Sequence, residues 1–361
     1  MVSLSRELAR RGHDVKILTP CSRPEPEISD LEVLTFGRTV PLPTAGSIAR
    51  ISFSVWHEPR LRATLENERF DIVHVHEPLM PMFALMATYF SPSPTIGTFH
   101  AYNEGPGRGY IMWKPVLKRA AVRLSGRIAV SEPARQYVMR YFPADYEVIP
   151  NGIDVDRFAT PARRPEIFRD DCINILFLGR LNEKRKGLRY LLGAYSMLKW
   201  EYPNLRLIVA GPGKPDPDSY RIMGERSIND VIFTGVVPHE ELPGYFQSAD
   251  VFCSPATGNE SFGYVLAEAM AASRPIVATD IPGFATLVRD GREGLLVPPK
   301  DEHALADALR TLISDPALRA RMGAAGRASV DDYRWDRVAG RVVNYYHSVL
   351  DRRGVPAPAL A

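Results

Sequence analysis

The chain is poor in the features that mark several functional classes. It has three cysteines in 361 residues, Cys21, Cys172 and Cys253, scattered and odd in number. That excludes a disulfide framework and points to reduced, mostly buried thiols in a cytoplasmic protein. No apolar run approaches the roughly 20 residues of a membrane span. The first residues, LSRELARRGHDV, are charged and amphipathic rather than a signal peptide. A formal charge of +3 and a pI near 8.7 are too mild for a protein that coats nucleic acid, and suit anionic small ligands or an anionic membrane surface. Also missing is a strand with a glycine-rich turn before the first helix. Without them the first sheet should have a gap at its middle, with backbone groups on two neighbouring strands unpaired. A truncated or misassigned start is the expectation.

What is present is ample for packed cores. Apolar residues make up 45% of the chain, which argues against disorder, and the length exceeds what one hydrophobic core sustains, so two domains are expected. A unit of helix, short apolar strand and polar loop recurs. LSRELARRG leads into HDVKILTP and LRATLENERF into DIVHVHEP; TIGTFHA, GRIAVSE and YEVIPNG are further strands. A second series begins after Pro150, with strands NILFLGR, LRLIVAGPG, DVIFTGVV, DVFCSPA, PIVATDIPG and GLLVPP. Apolar runs of four to six residues between helices imply parallel strands covered on both faces. The Pro-rich stretch PNGIDVDRFATPARRPEIFRDD reads as the hinge. The architecture is therefore α/β, two Rossmann-like domains facing a central cleft. Residues 1–153 form the first domain and 154–332 the second. Residues 333–361 form a helix packing back on the first.

Three features of the second half converge on an anion. Arg180 and Lys186 follow a strand directly in LGRLNEKRKG, although alone they read equally as a solvated basic loop. Gly211 and Gly213 in VAGPG let backbone approach a ligand closely. The helix opened by ESFGYVLAEAM offers free N–H groups from Ser261 to Tyr264 and a favourable dipole. Glu260, just before it, either caps the helix or touches the group beyond the phosphates. Glu268, on an apolar background, needs a partner, because an unpaired buried carboxylate costs several kcal/mol; sugar hydroxyls would serve.

GR-x5-K followed by ESFGYVLAEAMAA resembles the retaining glycosyltransferases of family 4, which have the GT-B fold, and IPNGID, ADVFCSP, PIVATDIPG and DGREGLLVPPKD fit the same family. The resemblance spans nearly the whole chain. It implies transfer of a sugar from a nucleotide diphosphate donor with retention at the anomeric carbon, Arg180 and Lys186 standing in for a metal. It places Glu260 near the transferred sugar and Glu268 at the ribose. The implied donor set is Gly179, Arg180, Lys186, Gly211, Glu260, Ser261, Phe262, Gly263, Tyr264, Val265 and Glu268; the catalytic set is His100, Arg180, Lys186 and Glu260. Ser273 stands where the family often has glycine.

For the acceptor, His100 ends the strand TIGTFH, where the family commonly contacts the reacting sugar. VPLPTAGSIARISF resembles the acceptor loop of the bacterial phosphatidylinositol mannosyltransferases, with Ser47 and Arg50 matching positions that meet the inositol phosphate; HVHEP and RIAVSEPAR fit too. Thr44 and Ala45 depart from that pattern, and the following helix carries only Arg60 and Arg62. Ile48, Ile51, Val55 and Trp56 lie at helical spacing, which reads first as a core-facing stripe and second as a surface dipping into a membrane. The Asp154–Asp156 string and the His74–His76–Glu77 cluster read as structural rather than as metal ligands.

The expectation is thus a glycosyltransferase with GDP-mannose as donor and a phosphoinositide-type lipid as acceptor. It needs no metal or cofactor and binds no nucleic acid. It works in the cytoplasm, peripheral at the inner face of the plasma membrane. The alternatives are a nucleotide-sugar 2-epimerase, which shares the fold, and a catalytically impaired nucleotide-sugar or lipid binder.

Overall fold

The computed structural model describes residues 1–21, 30–37, 40–44, 47–51, 55–80 and 82–354, with backbone alone at 40–44, 47–51 and 55. The chain divides into two compact units, Met1–Gly152 with Trp335–Ala361, and Ile153–Arg334.

In the first unit β1 (Lys16–Thr19) pairs in parallel with β2 (Glu32–Thr35). Strands β3 (Val40–Thr44) and β4 (Ser47–Ile51) form an antiparallel ribbon. Strands β5 (Val73–His76), β6 (Thr95–Phe99), β7 (Gly126–Ala129) and β8 (Glu147–Val148) make a four-stranded parallel sheet in that order. Among the described residues no ladder joins β1–β2 to β5–β8. The terminal helix Trp335–Arg352 buries Val338, Val342 and Val349 against Leu4 and Leu8 of the first helix and Ile96 and Ile128 of the sheet.

The second unit carries β9 (Ile173–Leu178), β10 (Leu205–Ala210), β11 (Val231–Gly235), β12 (Val251–Ser254), β13 (Ile276–Thr279) and β14 (Gly294–Val297). They form one parallel sheet in the order β11-β10-β9-β12-β13-β14. Alternate residues serve opposite faces. Ile175, Phe177, Leu207, Val209 and Val277 pack with the helices Leu188–Glu201 and Glu302–Ser314; Leu176, Ile208, Phe252 and Ala278 pack with Tyr264–Ala271. Burial on both faces explains why these strands read as unbroken apolar runs. The order reverses between β9 and β12, the point in such a sheet beyond whose strand carboxyl ends ligands generally bind.

The stretch read as the hinge, within which the two units divide after Gly152, also carries core residues: Val155, Phe158 and Phe168 are buried in the second unit, with Phe158 edge-on to Phe246 at 5.5 Å. One expectation is corrected. The helical spacing of Ile48, Ile51, Val55 and Trp56 is not realised, because Ser47–Ile51 is a strand, on which positions 48 and 51 fall on opposite faces, and Val55–His57 is a short 3-10 turn.

Ser273 closes the helix Tyr264–Ala271 in left-handed backbone, φ 57°, where Ser273 N–H donates to Met270 O and Arg274 N–H to Ala269 O. This closing turn favours glycine. Ser273→Gly should therefore stabilise the unit by about 0.5–1 kcal/mol, raising the melting temperature by roughly 1–4 °C. Thermal unfolding of the two proteins side by side checks it; an unchanged or lower melting temperature would mean the serine is not strained.

Candidate functional site

The second unit brings its predicted residues together at the crevice between β9 and β12. Gly179 leaves β9 with its N–H on Ala210 O at 3.0 Å. Gly211 has φ 135°, and a Cβ there would come within 1.9 Å of Gly179 O. Its glycine is thus required by the close approach of two strand exits, before any ligand is considered. Lys184–Lys186 make a 3-10 turn ending at Gly187, φ 76°, where a Cβ would meet Pro255 O at 1.9 Å. Thr257 N–H donates to Arg185 O at 2.7 Å. The loop after β9 is thereby sewn to the loop after β12.

Charge follows the same seam. One oxygen of Glu260, Oε1, accepts from Lys186 Nζ at 2.6 Å and from Arg185 Nη1 at 2.5 Å. Arg185 also contacts Glu183 Oε2 at 2.7 Å, and Arg180 donates to Glu183 Oε1 at 3.0 Å. Glu183 is buried, its side chain 4% exposed, while that of Arg180 is 51% exposed. Three cations thus share two carboxylates, leaving an excess positive charge at the end of β9. The sequence reading missed Arg185 and Glu183. Their signal was slight: one cation beside Lys186 and one acid inside a basic run.

The helix Tyr264–Ala271 opens after Gly263, φ 97°. Among the described residues, the N–H groups of Ser261, Phe262, Gly263 and Tyr264 donate to no backbone carbonyl. The Phe262 side chain is core, edge-on to Tyr264 at 5.3 Å and tilted against Tyr333 at 5.6 Å, so only its backbone can face a ligand. Val265 also packs toward the core. Glu268 is partly buried with no hydrogen bond or ion pair among the described residues. Burial pushes its carboxyl up to about 7, against the pull of Arg157.

In the first unit, His74 and His76 on β5 and His100 after β6 form a stack, with ring centroids 4.7 and 5.1 Å apart. His74 is held by Tyr346 OH and Thr98 Oγ1, each at 2.6 Å. His76 Nδ1 meets His100 Nε2 at 2.8 Å. Burial lowers all three, His74 to about 3, His100 to about 4 and His76 well below its ordinary value, so the stack is neutral at physiological pH. Glu77 accepts from the backbone N–H of both His100 and Ala101.

Ser47 and Arg50 lie on β4, opposite Thr44 and Pro41, and their side chains are outside the described residues. Asp154 caps the helix Val155–Ala159 through Arg157 N–H, and Asp156 pairs with Arg334. Each has a structural employment. Among the described residues no group of three His, Cys, Asp or Glu side chains is arranged to hold a metal ion.

Residues 1–157 match the family described as Glycosyltransferase Family 4, and residues 172–315 the one described as Glycosyl transferases group 1. The chain is 37% identical over 353 residues to the phosphatidyl-myo-inositol mannosyltransferase of Mycobacterium tuberculosis, covering 97% of this chain and 92% of the relative. It is 33% identical to the protein of the same name from Propionibacterium freudenreichii, covering 96% and 89%. Among solved structures, a glycosyltransferase from Rickettsia africae matches with TM-score 0.78 at 18% identity, over 97% of this chain and 93% of that one. Anabaena Alr3699/HepE in complex with UDP and glucose matches with TM-score 0.74 at 18% identity, over 96% of each chain. These last two likenesses show the fold, the two-domain GT-B class.

The raised carboxyl of Glu268 has a stability consequence. Its folded-state value, about 7, lies above the ordinary 4.5. The folded protein therefore holds an extra proton between those values, and this residue's contribution falls as pH rises from about 4.5 to 7. Glu268→Gln removes that loss. Its melting temperature relative to the parent should climb between pH 5 and pH 8, by several degrees at the upper end, in paired thermal scans. A constant difference across that range would contradict the assignment.

Proposed function

The chain belongs to glycosyltransferase family 4, and on that premise we propose that it is a retaining mannosyltransferase acting from GDP-mannose on phosphatidylinositol, without a metal. One observation carries the donor half of this reading: Arg180, Arg185 and Lys186 meet beside a helix N-terminus at the point where the sheet order reverses. Such a place suits a diphosphate. The acceptor and the sugar rest on the named activity of relatives 33–37% identical over nearly their full length.

In this mechanism the bond from the sugar's anomeric carbon to the diphosphate oxygen breaks as the acceptor hydroxyl oxygen bonds to that carbon on the same face. The hydroxyl proton passes to the departing phosphate. Arg180 and Lys186 balance the charge that grows there. Glu268 accepts from the ribose hydroxyls, Glu260 lies against the transferred sugar, and His100 contacts that sugar from the first unit's strand end. Glu268→Ala should weaken GDP binding about ten- to hundredfold, the worth of lost hydrogen bonds to a charged group. Lys186→Ala should lower kcat about 100- to 1000-fold, the worth of one transition-state charge contact. Calorimetry with GDP and radiolabelled transfer to phosphatidylinositol vesicles read both. Unchanged GDP affinity in the first variant would remove Glu268 from the ribose. Turnover with UDP or ADP sugars in place of GDP-mannose would overturn the donor, and epimer formed from donor alone would favour the isomerase.

A lipid acceptor calls for bilayer contact, and we place it on the helices Arg108–Met112 and Lys114–Ala121. No helix among the described residues is long and apolar enough to cross a membrane. Ile111, Met112, Trp113 and Val116 are 55, 70, 52 and 47% exposed. Exposed Arg108, Lys114, Lys118 and Arg119 surround them. An apolar ridge among cations fits an anionic interface. Arg60 and Arg62, the thin basic pair noted in the sequence, are less suited: they lie over the rings of Phe36 and Phe90, and Arg62 also pairs with Glu66. Replacing Met112 and Trp113 by serine should reduce sedimentation with phosphatidylglycerol-containing vesicles at least fivefold while leaving GDP affinity within twofold. Full vesicle binding by that variant would move the contact elsewhere.

A further inference from the structure

Resting on the reading of His100 as a sugar contact, we propose that Glu77 is a positioning residue, whose carboxylate clamps the backbone at the exit of β6 and thereby sets His100. The parallel ladder of β5 and β6 runs from Val73 opposite Thr95 to His76 opposite Thr98. Glu77 N–H still donates to Thr98 O at 2.8 Å. The chain then turns away, because Glu77 has φ 53°. That turn removes the carbonyl that would have continued the ladder. The side chain takes its place: Oε1 accepts from His100 N–H at 2.6 Å and from Ala101 N–H at 2.7 Å.

The arrangement is costly for a mere surface acid. A non-glycine residue in left-handed backbone costs about 1 kcal/mol, and a buried carboxyl is destabilised unless its acceptors are used. Both penalties fall on one residue, and both are met by the same two hydrogen bonds. Next to it His76 Nδ1 holds the His100 ring, so backbone and ring are fixed by neighbouring residues of one strand end. Both N–H groups go to a single oxygen, which a carboxylate, a carboxylic acid or an amide provides equally. Burial raises the Glu77 carboxyl to about 7; the clamp is the same on either side of that value. The aromatic neighbours facing it, Tyr110 and Tyr137, are themselves raised and carry no charge near neutrality.

Glu77→Gln keeps the accepting oxygen, Glu77→Ala removes it, and Glu77→Asp keeps the charge but falls short by one methylene. Each is compared with His100→Ala for kcat and KM in transfer, for GDP affinity by calorimetry, and for amide exchange of the segment holding residues 100 and 101. We expect Gln within threefold of the parent in kcat. Ala and Asp should be slowed at least tenfold, since a misplacement of about 1 Å can cost a hundredfold. Exchange at 100–101 should be faster and GDP affinity within twofold. Parent kcat in Glu77→Ala or Glu77→Asp despite faster exchange would overturn the proposal, as would a Gln variant as slow as Ala. Should the Ala variant fail to fold, the contrast of Gln with Asp decides. Undiminished kcat in His100→Ala would instead sink the reading of His100 and leave the clamp, seen by exchange, standing.

Discussion

The second unit's charge seam depends on one shared oxygen, Oε1 of Glu260, held at 2.5–2.6 Å by Arg185 and Lys186. Cations crowded after a strand repel one another, and the charge left by Arg180, Arg185 and Lys186 would spread the loop after β9 unless a carboxylate drew it in. Glu260 does so from the opposite side of the crevice. It therefore couples two loops whose positions the sheet alone does not fix, since a parallel sheet ends where its strands end. The backbone bond from Thr257 to Arg185 and the close approach of Gly187 to Pro255 serve the same seam. Burial makes the coupling strong: the side chains of Arg185 and Lys186 are each 20% exposed, where screening by water and salt is weaker than on the open surface.

A similar device recurs at other strand ends. Glu77 finishes the pairing of β6 with a side chain in the first unit. Asp250, just before β12, accepts from Asn174 N–H of β9. Glu293, buried before β14, accepts from the Arg289 backbone and from Ser329. Glu293 ties the loop before β14 to the helix Pro316–Val330, whereas at Glu77 and Asp250 the carboxylate supplies an acceptor at a strand end. This is a physical consequence of parallel topology: slanted strand ends leave N–H groups without a neighbour, and buried donors must find one.

The strands were legible because burial on both faces writes them as apolar runs. That Arg180, Lys186 and Glu260 would lie near one another was legible as well, because they hang on the elements that flank the reversal of strand order. What escaped depends on register or on backbone sign. The ribbon β3–β4 carries Pro41 and Pro43, residues that argue against a strand; they are tolerated because a two-stranded ribbon is all edge, so no third strand needs their missing donors. The helix Met82–Phe90 is apolar all round and shows no amphipathic period. Glu77 looks like a polar residue at a strand end until its left-handed backbone turns the carboxylate onto the next strand's exit. Arg185 and Glu183 differ from the other charges of LNEKRKG only by how the 3-10 turn orients them. Sequence spacing does not encode that orientation.

The ion pairs also bear on how an anion would enter. An ammonium has three donors, and Lys186 spends one on Glu260. It need not release that acid to meet a phosphate oxygen. The carboxylate thus fixes where the ammonium sits without exhausting it, and the half-exposed Arg180 is anchored in the same way by Glu183. Positive charge placed before the ligand arrives costs little reorganisation when negative charge later develops, which is the condition under which fixed side chains stabilise a leaving group well. A single cation on a flexible loop would lose part of that gain to its own ordering. Three cations pinned by two acids would keep it, so the acids would help an anion to bind there although each, taken alone, repels it.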